Sequence, residues 1–293
     1  MKAAAFEYMR AESVDDACAM LARHGVDARL IAGGQSLVPM MAMRLVRPSV
    51  IVDIHRIPAL QEWRVESGAL AMRACVRQNV IEREAALGSA VPLLRKAIRW
   101  IGHTQTRNRG TVGGSLAHAD PSAELPLVAV TLDATLTARS SSAERSIPAA
   151  SFFTGPMSTV LRADECLFEV RMPIWRDHRI GTAFEEVAIR HGDFAMVAAA
   201  AQVALDAGGA CVRAAIGIGG AAPSPVAFPD LASGLIGTRL EGATIGGVAD
   251  AVARRLDPMA DLHASAAYRR HLAHTMIVRT LAAARDEAMA IRS

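Results

Sequence analysis

Apolar and polar residues change period several times along this chain, and the changes mark its elements. Behind Ser13 and Asp16, a helix start, Ala17, Met20, Leu21 and His24 fall at helical spacing, and Gly25 ends the run. Arg29-Leu30-Ile31 is a short apolar run that stops at Gly33-Gly34. Residues 37–45 read as a helix, closed by Pro48, and residues 50–54 as a strand. A glycine pair therefore sits after a strand and before a helix. Residues 63–66 and 69–76, joined by Ser67-Gly68, predict a hairpin. Residues 81–87 and 93–101 read as helices, with Pro92 at an acceptable first-turn position.

Residues 102–122 break the pattern. They are rich in Gly, Thr, Asn, His and Asp, and they show no sustained period. A long irregular segment between ordered elements is more often functional than idle. Strands are expected at 132–138 and 166–172, and a domain boundary at Pro173-Ile174-Trp175-Arg176-Asp177. Beyond it come a strand at 182–189, a hairpin of 198–205 and 210–218 around a glycine turn, and helices at 245–255 and 264–290. Strands and helices mix without a regular βαβ repeat, so the fold class is α+β.

Composition narrows the function. The chain has 293 residues, 52% of them hydrophobic, enough for two packed domains. Its net charge is +3, with seven Phe, three Trp and two Tyr and no basic run interleaved with aromatics, so nucleic-acid binding is unsupported. Cys18, Cys75, Cys166 and Cys211 form no Cys-x-x-Cys motif, so neither a metal site nor a disulfide framework is expected in this chain. Charges at Glu7, Glu12, Asp15 and Asp16 leave no visible secretory signal. The uncharged stretch closest to a membrane span ends at Leu205 and falls short of the about 20 residues a bilayer needs. The default expectation is a cytoplasmic protein without a transmembrane segment.

Two loops carry candidate chemistry. In Ala32-Gly33-Gly34-Gln35-Ser36-Leu37, glycines let a phosphate approach the backbone amides, while Ser36 and Gln35 add donors. It is not a dinucleotide fingerprint of the Gly-x-Gly-x-x-Gly kind, and no Gly-Lys-Ser/Thr follows to make a P-loop. Taken alone, it reads more readily as a tight turn. Arg107-Asn108-Arg109-Gly110-Thr111-Val112-Gly113-Gly114-Ser115 offers the same chemistry with more charge. Downstream, Asp120 and Glu124 supply carboxylates of the kind that accept from ribose hydroxyls, although Asp120-Pro121-Ser122 reads equally well as a turn. Arg107 and Arg109, taken singly, read as solvated side chains. Two such loops about 80 residues apart can hold one dinucleotide diphosphate between them.

With both loops in view, the chain resembles the FAD-binding, or medium, subunits of the molybdenum hydroxylases, the carbon monoxide dehydrogenase and xanthine dehydrogenase family. The residues that carry the resemblance are Ala32-Gly33-Gly34-Gln35-Ser36-Leu37-Val38-Pro39 and Arg107 through Pro121, with Arg190-His191-Gly192-Asp193-Phe194-Ala195 and Ala264 through Leu272 in support. It implies a two-lobed FAD-binding domain of the PCMH type over residues 1–177, with lobes at about 1–56 and 57–177. A smaller α+β domain of the CO dehydrogenase flavoprotein type would follow over 178–293. By similarity, residues 32–37 together with Thr111, Gly113, Gly114 and Ser115 would hold the pyrophosphate. Glu124 would lie near the ribose, and Ile101 and Leu167 near the flavin. Glu185 sits where some relatives carry a lysine near the ring, which puts a polar contact there in doubt.

The resemblance further implies non-covalent FAD, because Gln35 stands where related oxidases carry a linking histidine. It also implies partners: a large molybdopterin subunit and a small subunit with [2Fe–2S] clusters, in a dimer of heterotrimers. The expected role is electron transfer to an external acceptor, with no catalytic residue in this chain. The alternatives are a self-sufficient FAD-dependent oxidase or dehydrogenase using Glu185 or His118, and a non-enzymatic binding module. Substrate and acceptor are left open.

Overall fold

The computed structural model describes residues 2–291; Met1 and residues 292–293, the outer ends of the two expected domains, lie outside the described residues. The first sheet is parallel, in the order Glu7–Arg10, Val50–Asp53, Ala28–Ile31. Val50–Asp53 is its central strand and is buried at every position. Helix Val14–His24 buries Val14, Ala17, Cys18 and Leu21 against it. The helix starts as expected: Ser13 Oγ accepts from Asp16 N at 3.0 Å, and Gly25 ends it at φ 55°. Strand Glu7–Arg10 was not foreseen, because its side chains are mostly exposed and show no alternation.

The second sheet is antiparallel, in the order Trp63–Glu66, Ala69–Arg73, Cys166–Pro173, Thr135–Arg139, Glu144–Pro148. Its first hairpin turns at Ser67 and Gly68, both with positive φ, as expected. The strand expected at 132–138 starts later. Residues Glu124–Thr131 are a helix, buried from Leu125 through Thr131, and Leu132 caps it. A helix buried on all sides has no amphipathic period to read. For a related reason the segment 102–122 is not irregular throughout. It contains helices Thr104–Arg109 and Val112–His118, each under two turns and too short to show a period. A separate two-stranded ribbon pairs Phe153–Gly155 with Ser158–Thr159.

The third large sheet runs Arg179–Val187, Val197–Leu205, Cys211–Gly219, Val226–Ala227. Strand Val197–Leu205 is buried at all nine positions. One face, with Ala199, Ala201 and Val203, packs into a core with helices Gly242–Arg255 and Ala266–Ala290. The other face, with Phe184, Ala198 and Ala200, joins the core of the second sheet beside Leu94, Leu127 and Val128. The architecture is α+β, as the sequence predicts.

Candidate cofactor site

The ends of the first and second sheets enclose a cleft of about 910 Å³, within the roughly 300–1,000 Å³ of small-molecule sites. Its walls bring together Ala32, Gly33, Gly34, Gln35, Ser36 and Leu37 from the first loop, and Thr111, Gly113, Gly114 and Ser115 from the second. Ile101, Asp120, Glu124 and Leu167 complete them. Residues from four separate stretches of chain thus converge on one cavity.

The two glycine loops, alike in sequence, are not alike in hydrogen bonding. In the first, none of the five backbone amides of residues 33–37 donates to an acceptor among the described residues. Gly34 takes φ +72°, a left-handed turn that glycine adopts readily, at the edge of the cleft. Gln35 bends its side chain back, donating to the Gly33 carbonyl at 3.2 Å.

In the second loop the amides are already used. Val112 N donates to Val76 O at 2.9 Å, Gly113 N to Ala74 O at 2.8 Å and Ser115 N to Thr111 O at 3.1 Å. Gly114 N donates to Thr111 Oγ1 at 3.0 Å, an N-cap for helix Val112–His118. A β-carbon on Gly113 would lie 2.6 Å from Ala74 Cα, so this glycine serves close packing of the loop on strand Ala69–Arg73. What the second loop presents to the cleft is shape and two hydroxyls. Ser36, of the first loop, and Ser115, of the second, line the cleft, and neither side chain makes a hydrogen bond among the described residues.

Arg107 is buried, not solvated. It donates to both carboxylate oxygens of Glu82 at 3.0 and 3.2 Å, and to the Ile101 and Gly102 carbonyls at 3.0 and 3.3 Å. It ties the helix before the second loop to Ile101 in the cleft wall. Arg109 is exposed as expected, and its carbonyl accepts from Arg77.

Asp120 is buried and accepts from Ser122 N at 2.8 Å, so the turn geometry is present at a residue that also lines the cleft. Glu124 opens the helix Glu124–Thr131 with a carboxyl pushed up to about 7 by burial, with Asp120 nearby adding to it. Ile101 and Leu167 are 8% and 4% exposed and give the cleft its apolar walls.

Glu185 does not line the cleft. It points to the other face of its strand and pairs with Arg279 of helix Ala266–Ala290 at 2.9 Å. Alternation along a strand turns the next side chain the opposite way. Glu186 therefore faces the first core, with a carboxyl that burial pushes up to about 8, raised further by Glu124. Sequence reading also passed over Gly192, Asp193 and Phe194 as cleft residues. Phe194 is 70% exposed, an unusual position for a phenylalanine that lines a cavity. His191, edge-on to Trp100 at 6.1 Å, and Gly192, close against the His103 ring, hold that loop to the first part of the chain. A cluster under the first loop was equally unforeseen. Asp53 accepts from the Tyr8 hydroxyl at 2.5 Å and from His55 N at 2.9 Å, and these bonds outweigh burial to hold the Asp53 carboxyl below its usual range.

The thiols offer no chemistry. Burial pushes Cys75 up to about 12 and raises Cys166, which lines the cleft. Among the described residues no cluster of three or more His, Cys, Asp or Glu is placed to hold a metal.

Comparison with known proteins matches two stretches of the chain to two domain families. Residues 4–175 match the model of the FAD binding domain in molybdopterin dehydrogenase, and residues 182–284 that of the CO dehydrogenase flavoprotein C-terminal domain. The alpha subunit of the 6-hydroxypseudooxynicotine dehydrogenase complex of Paenarthrobacter nicotinovorans is 41% identical over 284 residues, covering 97% of this chain and 96% of that one. The carbon monoxide dehydrogenase medium chain of Hydrogenophaga pseudoflava is 33% identical, covering 95% and 96%. The structure of quinoline 2-oxidoreductase from Pseudomonas putida 86 matches 99% of this chain and 100% of its own with a TM-score of 0.93 at 37% identity. Relatives matched over nearly their whole length are subunits of larger dehydrogenases, which leaves the self-sufficient oxidase without support. The chain belongs to the family of FAD-binding subunits of the molybdenum hydroxylases.

Proposed function

We propose that the cleft holds one FAD without a covalent bond. The chain then receives electrons from [2Fe–2S] clusters of a small partner subunit and passes them to an external acceptor. The single observation that carries this is that five successive backbone amides, at residues 33–37, have no acceptor among the described residues and belong to residues lining the same cleft as the second glycine pair. Such a row suits an anionic diphosphate and would be costly to leave unpaired in a closed site. The hydroxyls of Ser36, Thr111 and Ser115 add donors on both sides. Asp120 and Glu124 accept from ribose hydroxyls. Ile101 and Leu167 exclude water from the apolar end, with Phe194 at its edge. Bound FAD supplies the exchange between one-electron donors and a two-electron acceptor.

The chain's own part is binding, orientation and water exclusion, and no residue here acts on a substrate. Substrate oxidation would belong to a large molybdopterin subunit, as expected for relatives that are medium subunits, with two heterotrimers pairing in the full complex. The four cysteines are free, which fits a reducing cytoplasm, and among the described residues no helix is long and apolar enough to cross a membrane.

Purification from the native source tests the reading. The chain should co-elute with two other subunits and carry flavin absorption, and acid precipitation should release the flavin into the supernatant. Recovery as a lone colourless chain that ignores added FAD would overturn it.

A further inference from the structure

Arg269 is buried away from the cleft, yet it binds two backbone segments that reach the cleft walls. It lies in the first turn of helix Ala266–Ala290, inside the stretch Ala264 through Leu272 that carries part of the family resemblance. It is 7% exposed and does not line the cleft. Its Nη1 donates to the Met196 carbonyl and, at 2.9 Å, to the Gly220 carbonyl. Its Nη2 donates to Asp261 at 2.5 Å. Asp261 is itself fixed, because it accepts from the amides of His263 and Ala264, each at 2.9 Å.

Each carbonyl leads to the cleft by a short covalent path. Met196 closes the loop between strands Arg179–Val187 and Val197–Leu205, where its amide donates to Val187 O at 2.8 Å. Two residues before it, Phe194 lines the cleft. Within the same loop Arg190 pairs with Asp193 at 3.0 Å. Gly220 takes φ +75°, and its amide donates to Pro121 O at 2.8 Å, next to Asp120 in the cleft wall. A β-carbon on Gly220 would lie 2.7 Å from Met196 O and 3.1 Å from Ala195 O, so the two segments pack backbone on backbone. One side chain thus clamps the Phe194 loop to the segment that braces the Asp120 turn.

We propose that Arg269 is a positioning residue of the cofactor site: by clamping Met196 to Gly220 it fixes Phe194 relative to the Asp120 wall, and so slows the loss of bound FAD. The proposal rests on FAD being the occupant of the cleft. Two features favour it over a purely structural arginine. Burying a guanidinium is costly, and here Nε is buried without a hydrogen-bond partner, so an apolar side chain of similar size would serve packing as well. What the arginine adds is direction, because its planar head holds two carbonyls and a carboxylate in one arrangement. The second feature is Phe194 itself, 70% exposed on a loop tied down at Met196 and Asp193. A ring left uncovered on a held backbone loses little freedom when an occupant of the cleft packs on it.

The test loads the full chain with FAD and follows two readouts. One is the release rate after dilution, read as the rise of free-flavin fluorescence; the other is quenching of the bound flavin by iodide. Arg269→Lys keeps the charge but loses the fork that serves three acceptors at once. It should release FAD about tenfold faster, the equivalent of one lost hydrogen bond to a charged group, and open the flavin to iodide. Phe194→Ala should do the same. Arg269→Lys on the Phe194→Ala background should add nothing further, because the arginine acts through that loop. If Arg269→Lys does not fold, Asp261→Asn gives the same comparison: it removes the charge beside Nη2 and keeps an acceptor for the two amides. Effects that add in the double variant, or a destabilised single variant that releases FAD as slowly as the parent, overturn the positioning role while leaving FAD in the cleft. A parent chain that binds no FAD overturns the reading of the cleft and this proposal with it.

Discussion

The backbone of Gly33 lies flat against the carbonyl group of Arg109, so the two glycine loops touch at one point across the cleft. A β-carbon on Gly33 would overlap that carbonyl oxygen and lie 3.0 Å from Gly110 Cα. The obstacle is backbone, which cannot rotate aside. Gly33→Ala should therefore push the loops apart and weaken FAD by about tenfold or more, the equivalent of the roughly 1–3 kcal/mol that overpacking costs. The ratio of flavin to protein absorbance after purification measures this, with circular dichroism to confirm the fold. Full flavin content in the variant would show that the contact is idle.

Thr111 is the pivot of the second loop, because its hydroxyl oxygen accepts the Gly114 amide. Thr111→Val keeps the volume and removes the cap, which should cost about 1 kcal/mol. Thr111→Ser should restore both stability and FAD affinity. Denaturant midpoints of the three chains are the measurement, and a valine chain as stable as the parent contradicts the capping role.

Arg107 joins Glu82 to the carbonyls of Ile101 and Gly102 from a buried position. Arg107→Ala leaves those carbonyls unpaired, although Glu82, being partly exposed, regains water. A loss of roughly 2–3 kcal/mol is expected. Because Ile101 moves with this network, weaker flavin binding should accompany the loss. Chemical denaturation and FAD titration follow the two effects, and a change within about 0.5 kcal/mol would return Arg107 to the class of surface arginines.

Stability of the flavin-free chain should fall as pH rises. Glu124 and Glu186 have folded-state values raised from 4.5 to about 7 and about 8. Between about 4.5 and about 8 the folded chain holds more protons than the unfolded one, so their stabilising contribution is complete at the acid end and lost by the alkaline end. Melting temperatures across that range should decline, and the decline should be shallower in Glu186→Gln. Parallel curves for the two chains would remove Glu186 from the account.

Much of this site was legible in the sequence because backbone chemistry leaves a trace there. Gly33-Gly34 and Gly113-Gly114 mark where chains approach too closely for a side chain, and Ser13 and Gly25 bound a helix that the structure reproduces. What stayed hidden depends on direction. Two similar glycine pairs gave no hint that one keeps its amides free while the other spends them on Ala74, Val76 and Thr111. Glu185 and Glu186 are adjacent and chemically identical, and only the phase of the strand sends one to Arg279 and the other into the core shared with the second sheet. The helix Glu124–Thr131 was missed because burial on all sides erases the period by which helices are found. Arg107 was misread because a buried arginine is known only by its partners, here Glu82 and two carbonyls distant from any motif.

Strand Val197–Leu205 contributes alternate residues to two cores, although one family model ends and another begins ahead of it. A hinge needs a seam that water can enter, and here the seam is a row of alanines packed tightly on both sides. The two regions thus share this strand as a common wall, and a change of side-chain volume in it would reach one core or the other according to its phase.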